Sequence, residues 1–198
     1  MGPTSQDARR APRLSEQERR SIVVEAATRL FIAHGVHAVG MDRLIAETGL
    51  GKMSVYRVFP TKDDLVGGYL TSLAHRILGL IDADIGAAAD ARGALHAILD
   101  GIEADVRRDG FHGCPFGNAA AEYGDAGHPA RQVAREYRQA LLDRLDHTAR
   151  DLDPVEGPRL ARRLAVLIDG AYLSIAHLGP DGPGAEGLAL ARHLVDSC

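Results

Sequence analysis

The stretch GLGKMSVYRVFPTKDDL, residues 49–65, decides how this sequence folds. It holds the only two lysines of the chain, Lys52 and Lys62, on either side of a tyrosine. Two glycines open it, and Pro60 stops the helical pattern that follows, because proline lacks the amide hydrogen that a helix interior needs. The stretch therefore predicts a short helix at about 52–59, held between a tight turn and the start of a new helix.

Two helical patterns precede this stretch. Ser15 and Glu18 form a capping box, in which each side chain accepts from the other residue's backbone amide, and an apolar stripe continues to about His34. A second pattern covers residues 41–48, MDRLIAET. That short helix, a turn of about three residues opening with glycine, and the helix at 52–59 are together typical of a helix-turn-helix.

The rest of the chain predicts helices only. No stretch alternates apolar and polar residues as a half-buried strand does. The predicted fold class is therefore all-α. The helices are expected at about 61–86, 91–108, 114–124, 128–151, 156–178 and 184–196.

Charge is unevenly distributed along the chain. Residues 1–62 carry 10 basic and 6 acidic side chains, a net charge of +4, whereas residues 63–198 carry 13 basic and 21 acidic side chains, a net charge of −8. A basic first third predicts a polyanionic partner for that part alone, with chance clustering as the alternative.

Cysteine usage and the N-terminus predict a cytoplasmic protein. Cys114 and Cys198 are too few for a disulfide framework. The opening residues, MGPTSQDARRAPR, lack the apolar core of a secretory signal, and no window has the roughly 18 apolar residues that a membrane span needs. Residues 1–14 are basic and contain proline, so we predict a disordered arm there.

The helix-turn-helix pattern predicts which side chains face DNA. Such a motif lays its second helix in the major groove while neighbouring residues bind phosphates. The apolar residues of the helix at 52–59 are expected to face the core, and Lys62, at a helix N-terminus, is expected to bind a phosphate together with free backbone amides. The alternative is that both lysines are merely solvated. The predicted DNA-binding residues are Arg43, Lys52, Met53, Ser54, Tyr56, Arg57 and Lys62.

Residues 16–76 closely resemble the DNA-binding domain of TetR-family transcriptional regulators. The resemblance rests on the Ala-Ala and Leu-Phe pairs of the first helix, the His-Gly pair at 34–35, MDRLIAETGL at 41–50 and GKMSVYRVFPTKDDL at 51–65. Two positions depart from the family pattern. Gly40 stands where a Thr or Ser often caps the second helix, and Met53 stands where Gly or Ala is common, placing an apolar side chain where thymine methyl groups are natural partners.

The resemblance implies a helix-turn-helix domain at 15–76, followed by a helical-bundle domain at 77–198 that binds an effector and forms a homodimer. The dimer interface is expected in the helices at 156–178 and 184–196, whose apolar residues exceed what one core needs. It implies a transcriptional regulator, a repressor that a small-molecule effector releases from a palindromic operator in double-stranded DNA. The alternative is a helical small-molecule-binding protein or hydrolase-like enzyme without DNA binding. No motif of an enzyme nucleophile, phosphate loop or zinc protease is present, so we predict no enzyme activity.

The stretch FHGCPFGNAAAEY at 111–123 is the candidate effector site, and it resembles a GC-x-F-x-N-A-x-x-E pattern of one branch of TetR-like C-terminal domains. Polar Asn118 and Glu122 lie on one helix face among apolar residues, as in ligand pockets, although internal hydrogen bonds between helices would explain them equally well. The predicted pocket residues are His75, Phe111, Phe116, Asn118, Glu122 and Tyr172.

A metal site is the remaining alternative for this region. His112, Cys114 and His128 carry groups that bind metals, but their spacing matches no standard zinc pattern. We therefore predict no metal and no cofactor.

Overall fold

The computed structural model describes residues 14–198, so nearly all of the arm predicted at 1–14 lies outside the described residues. Within residues 14–198 the chain forms nine α-helices and no strand, as the all-α prediction requires. The helices are α1 Glu16–His34, α2 Met41–Thr48, α3 Lys52–Val58, α4 Lys62–Ala87, α5 Ala91–Val106, α6 Pro115–Glu122, α7 Pro129–Leu152, α8 Gly157–Leu178 and α9 Pro183–Asp196.

The helix ends follow from local chemistry. The predicted capping box is present at the start of α1, where the Ser15 hydroxyl accepts from the Glu18 amide at 3.1 Å. Gly49 ends α2 in the left-handed conformation, at φ 65°, which glycine adopts without a steric penalty. The prediction that α3 reaches residue 59 is wrong by one residue, because Phe59 precedes Pro60 and takes an extended conformation.

Two hydrophobic cores organise the helices. The first is built from α1–α3 and the N-terminal half of α4, together with residues of α6 and the start of α7. The second joins the end of α4 with α5, α8, α9 and the rest of α7. The predicted domain boundary after residue 76 falls inside α4, which contributes Leu65–Ala74 to the first core and Ile81 to the second. A displacement of α4 therefore acts on both cores.

Close packing around α4 depends on two adjacent glycines. A Cβ atom added at Gly68 would lie 2.6 Å from the ring of Phe59, and one added at Gly67 would lie 3.1 Å from the Cβ of Pro129. The first distance is shorter than any ordinary contact between carbon atoms. The two glycines thus let α4 approach the end of α3 and the start of α7.

None of the helices formed by residues 14–198 combines the length and the apolar character needed to cross a membrane.

Candidate nucleic-acid interface and ligand cavity

The turn between α2 and α3 holds the two helices in the arrangement of a helix-turn-helix. Gly49 closes α2, and Gly51 is the N-cap of α3 without a side-chain hydrogen bond. Gly40 likewise caps α2 through its backbone alone, and no atom lies within 4 Å of a Cβ added there. The first amides of α2 therefore receive no hydrogen bond from an N-cap side chain.

Short α3 divides cleanly into a buried and an exposed face. Val55 and Val58 are buried in the first core, and Phe59 follows them into it. Met53 is 76% exposed, which is unusual for a large apolar side chain and is expected where a partner covers it. The remaining α3 residues of the predicted set share this outer side: Lys52 and Arg57 are exposed, and Ser54 and Tyr56 are half-buried.

The basic residues around α3 differ in their contacts. The Lys52 ammonium lies 3.5 Å from the exposed carboxylate of Asp42 and 6.0 Å from the centroid of the Tyr56 ring. Arg43 lies on α2 with its guanidinium 2.8 Å from the Nε2 atom of His34. Among the described residues, Arg57 and Lys62 form no ion pair, so both charges remain available.

Arg20, on α1, contacts the C-terminal end of α3. Its guanidinium donates a hydrogen bond to the carbonyl of Val58 at 3.2 Å and lies 4.2 Å from the centroid of the Phe59 ring. The carbonyls at a helix C-terminus lack partners within the helix, and a cation there is favourable. Sequence analysis missed Arg20, since nothing local links residue 20 to residue 58.

A second candidate site lies inside the C-terminal helices. A cavity of about 520 Å³, open on one side, is lined by α4, α5, α7 and α8, with Ile32 of α1 and the start of α6 completing it. Exposed side chains of α4, among them Arg76, Leu80 and Asp84, stand at its mouth. Most of its wall is aliphatic: Ile32, Leu73, Ile77, Ile81, Ile98, Ile102, Leu141 and Ile168.

The polar end of this cavity centres on Asp105. Its carboxylate accepts a hydrogen bond from the Tyr172 hydroxyl at 2.9 Å and from the Arg108 Nε atom at 2.8 Å. Burial, and then the charge of Asp105, raise the pKa of Tyr172 above its usual range. Tyr172 therefore stays a neutral hydroxyl that donates to the carboxylate.

Tyr137 also lines the cavity and is 7% exposed. Its ring stacks on Phe116 with 3.8 Å between centroids, which fixes its direction. Burial, followed by the nearby Cys114 and Asp105, raises the pKa of Tyr137 above its usual range. Its hydroxyl makes no hydrogen bond to any residue between 14 and 198, although Tyr172 beside it does.

The six predicted pocket residues do not converge on this cavity; only Tyr172 lines it. Phe111 lies against Tyr172, with 5.7 Å between ring centroids, and Phe116 is buried against Tyr137. His75 faces an open groove between α1, α4 and α7. Asn118 and Glu122 line a separate groove beside the loop between α1 and α2, so the six residues are spread over several places, and their role in binding an effector stays a prediction.

The two polar residues of α6 have different partners. Asn118 donates a hydrogen bond to the carbonyl of His112 at 3.0 Å. The Glu122 carboxylate lies 2.5 Å from the Nε2 atom of His37, in the loop between α1 and α2. Both polar side chains therefore have partners within the chain, and both partners lie in loops rather than on neighbouring helices.

A histidine and a tyrosine extend the contact between the end of α6, the start of α7 and the start of α4. The Tyr123 ring stacks on His128 with 3.8 Å between centroids. The Nδ1 atom of His128 accepts from the Ala130 amide, and its Nε2 atom lies 3.4 Å from the carboxylate of Asp63 at the start of α4. The end of α6 and the start of α7 therefore hold α4 close to its N-terminus.

The three possible metal ligands lie in different settings. Cys114 lines the cavity, His128 caps α7, and His112 is exposed in the loop before α6. In the part of the chain that the structure describes, no three His, Cys, Asp or Glu side chains are grouped in a way that could hold a metal ion.

Exposed apolar residues mark one outer face of α8 and α9. Val166 is 71% exposed, and Leu173 and Leu190 are exposed as well. A groove between the two helices is lined by Val166, Leu167, Leu190 and Leu194, with arginines of α8 at its edge. Other apolar residues of these helices, including Leu164 and Ile168, are buried in the second core, so only part of the predicted apolar surplus reaches the surface.

Comparison with known proteins adds an independent line of information. Residues 23–68 match the family described as bacterial regulatory proteins, tetR family. The fold is similar to the crystal structure of SCO4454, a TetR-family transcriptional regulator from Streptomyces coelicolor. The two are 32% identical, with a TM-score of 0.83, and the match covers 91% of this chain and 96% of that one.

Two curated relatives differ in how far the similarity extends. The nicotine-responsive transcriptional repressor HdnoR from Paenarthrobacter nicotinovorans is 24% identical over 165 residues, covering 81% of this chain and 85% of HdnoR. The transcriptional activator FasR from Mycolicibacterium smegmatis is 36% identical over 73 residues, 37% of this chain and 32% of FasR. This chain therefore aligns with only about a third of the length of FasR.

Proposed function

The chain belongs to the TetR family of transcriptional regulators, and we propose that it acts as a repressor that a small molecule releases from DNA. It is a DNA-binding regulator of a family that is not one of enzymes. Similarity to the repressor HdnoR spans most of both chains, whereas similarity to the activator FasR is confined to a short segment. That difference favours repression. A bacterial regulator acts on the chromosome, which lies in the cytoplasm.

The observation that carries the proposal is the outer face of α3. A 76% exposed methionine stands there beside basic groups, on a helix whose other face is fixed in the core. Arg57 is suited to a bidentate hydrogen bond with a guanine edge, and Met53 to contact with a thymine methyl group. We assign Tyr56, Ser54 and Lys62 to phosphates, which orient the helix but carry little sequence information.

We propose further that two copies pair through the apolar face of α8 and α9. Val166, Leu173 and Leu190 would be covered by the same residues of the second copy, as a two-fold interface requires. A dimer presents two copies of α3 to successive major grooves about 34 Å apart. The operator would accordingly be a palindrome, with half-sites one turn of DNA apart.

Release from DNA would depend on α4. This helix lies in both cores, reaches the DNA-facing region at its N-terminus and lines the cavity further along. A ligand that shifts α4 would change the separation of the two recognition helices. A tenfold loss of operator affinity needs only about 1.4 kcal/mol of differential binding between the two arrangements.

Selection of the preferred duplex from a random pool by the purified protein tests the proposal. We expect a palindrome whose half-sites are centred about 10 base pairs apart or a multiple of that spacing. Tyr56→Phe should weaken binding to all selected duplexes alike. Enrichment of a non-palindromic sequence, or failure to enrich any sequence, would contradict the proposal.

A further inference from the structure

The volume and the apolar walls of the cavity determine the size and polarity of the main part of its ligand. Its volume of about 520 Å³ falls within the range of roughly 300–1,000 Å³ of small-molecule sites. Aliphatic side chains from four helices, such as Ile77, Ile98 and Ile168, form most of the wall. An apolar body that fills this space is stabilised by about 25 cal/mol for each Å² of apolar surface removed from water.

The formal charges within the cavity are already paired. Asp105 is bound by the Arg108 guanidinium at 2.8 Å, and Arg138 forms an ion pair with Asp169. Arg76 and Asp84 are exposed at the mouth, where water and salt screen their charges. A charged group deep in the cavity would lose its hydration without gaining an unpaired partner of opposite charge. These pairs favour an uncharged ligand.

Two residues at the polar end of the cavity can nevertheless form further hydrogen bonds. Tyr137 is more than nine-tenths buried, lines the cavity and makes no hydrogen bond within residues 14–198. The Tyr137 hydroxyl is not among the buried polar atoms that lack a partner, so it is accessible from the cavity and free to bind water or a ligand there. Each carboxylate oxygen of Asp105 accepts one hydrogen bond from the protein and can accept a second.

We propose that the cavity binds an uncharged molecule with an apolar body and one hydroxyl group, a phenol or an alcohol. The ligand hydroxyl accepts from Tyr137 and donates to Asp105. A hydroxyl both donates and accepts through one oxygen atom, and a thiol does so only weakly. The inference rests on the proposed function, because it names the chemical class of the effector.

Four naphthalene compounds with one body and different substituents test this assignment by isothermal titration calorimetry on the full-length protein without DNA. They are 2-naphthol, 2-methoxynaphthalene, 2-naphthoate and 2-(aminomethyl)naphthalene. We expect 2-naphthol to bind about three- to tenfold more tightly than the ether, which cannot donate to Asp105. The carboxylate and the ammonium compound should bind at least about tenfold more weakly than 2-naphthol.

Two variants separate the hydroxyl contact from general packing. Tyr137→Phe should lower the affinity for 2-naphthol about three- to tenfold. Tyr69→Phe is the matched control, since Tyr69 is equally buried but packs against Phe31 outside the cavity, and it should leave that affinity unchanged. A thermal melt of each variant confirms that it is folded.

The inference is overturned if a charged compound binds most tightly, if none of the four binds, or if folded Tyr137→Phe binds 2-naphthol as the unmodified protein does. Operator affinity is measured separately with and without 2-naphthol. If 2-naphthol binds as expected and leaves operator affinity unchanged, the ligand assignment stands and the effector role in the proposed function fails.

Discussion

The helix-turn-helix region and the C-terminal helices differ in the share of their basic residues that form ion pairs. Around α3, Arg57 and Lys62 form no ion pair within the described residues, and Met53 is left in water beside them. In the C-terminal helices, arginines tie one helix to another. Arg144 binds Asp82 through two hydrogen bonds of 2.7 Å, and Arg192 binds both Asp100 and Glu103.

The difference shows what each surface is able to bind. Unpaired cations around an exposed helix attract a polyanion, because their attraction to phosphates is not cancelled by nearby carboxylates. Seven of the thirteen arginines after residue 62 form ion pairs with carboxylates, and we propose that the exposed apolar residues on α8 and α9 face a second copy of the same chain.

The largest effect is expected from placing a charge on the apolar face of α8. Val166→Glu should give a monomer and lower operator affinity by about 100-fold or more, because a single half-site loses the advantage of simultaneous binding. Sedimentation equilibrium and a duplex-binding assay measure both effects. Val155→Glu is the control, since Val155 is 82% exposed in the loop before α8 and outside the groove. A Val166→Glu protein that remains dimeric would show that this face is not the interface.

Two glycines of α4, Gly68 and Gly79, test the packing of that helix against the end of α3. Gly68→Ala should lower the free energy of unfolding by about 1–3 kcal/mol, because its Cβ would overlap the buried Phe59 ring. Gly79→Ala meets no atom within 4 Å and should be neutral or raise that free energy by up to about 1 kcal/mol. Chemical denaturation compares them, and equal effects would disprove the contact.

Two arginines test the contrast between the regions directly. Arg57→Ala should cost about 1–3 kcal/mol of operator binding per half-site and relax the preference at one or two base pairs. Arg144→Ala should leave operator affinity unchanged and lower the free energy of unfolding by no more than about 1 kcal/mol, since its ion pair is partly exposed. Reversed effects would show that the paired and unpaired arginines had been assigned the wrong roles.

The smallest effect is expected on the way the free energy of unfolding depends on pH in acid. Hydrogen bonds from Arg144 lower the pKa of Asp82 below its usual value. Its pairing therefore contributes stability above the unfolded pKa of about 4, and that contribution is lost as the pH falls through the lower folded pKa. Asp82→Asn should reduce the acid dependence of the unfolding free energy by at most about 1 kcal/mol. Asp84→Asn, on the same helix without an ion pair in the described chain, should not.

The sequence predicts the features that depend on near neighbours. Alternation of buried and exposed residues on α3 follows from helical spacing, and the ends of α2 and α3 follow from Gly49 and Pro60. Every C-terminal helix ends within two residues of its predicted bounds. Such features are set by a few consecutive residues, so they need no knowledge of the tertiary fold.

The cavity could not be located in this way. Tyr137 occupies an ordinary apolar position of α7, and only the approach of α5 and α8 gives its hydroxyl a cavity to face. Glu122 looks like a pocket residue in the sequence because its partner, His37, lies far away along the chain. The DNA-binding assignments and the division at residue 76 stay predictions until they are tested by experiment.

The dependence of operator affinity on salt tests the central claim most directly. If α3 and the start of α4 bind phosphates, the logarithm of the binding constant should fall linearly with the logarithm of salt concentration. Lys62→Ala should reduce the magnitude of that slope by about two for a dimer, one phosphate contact in each subunit, while Arg144→Ala leaves it unchanged. A slope that Lys62→Ala does not alter would contradict the account.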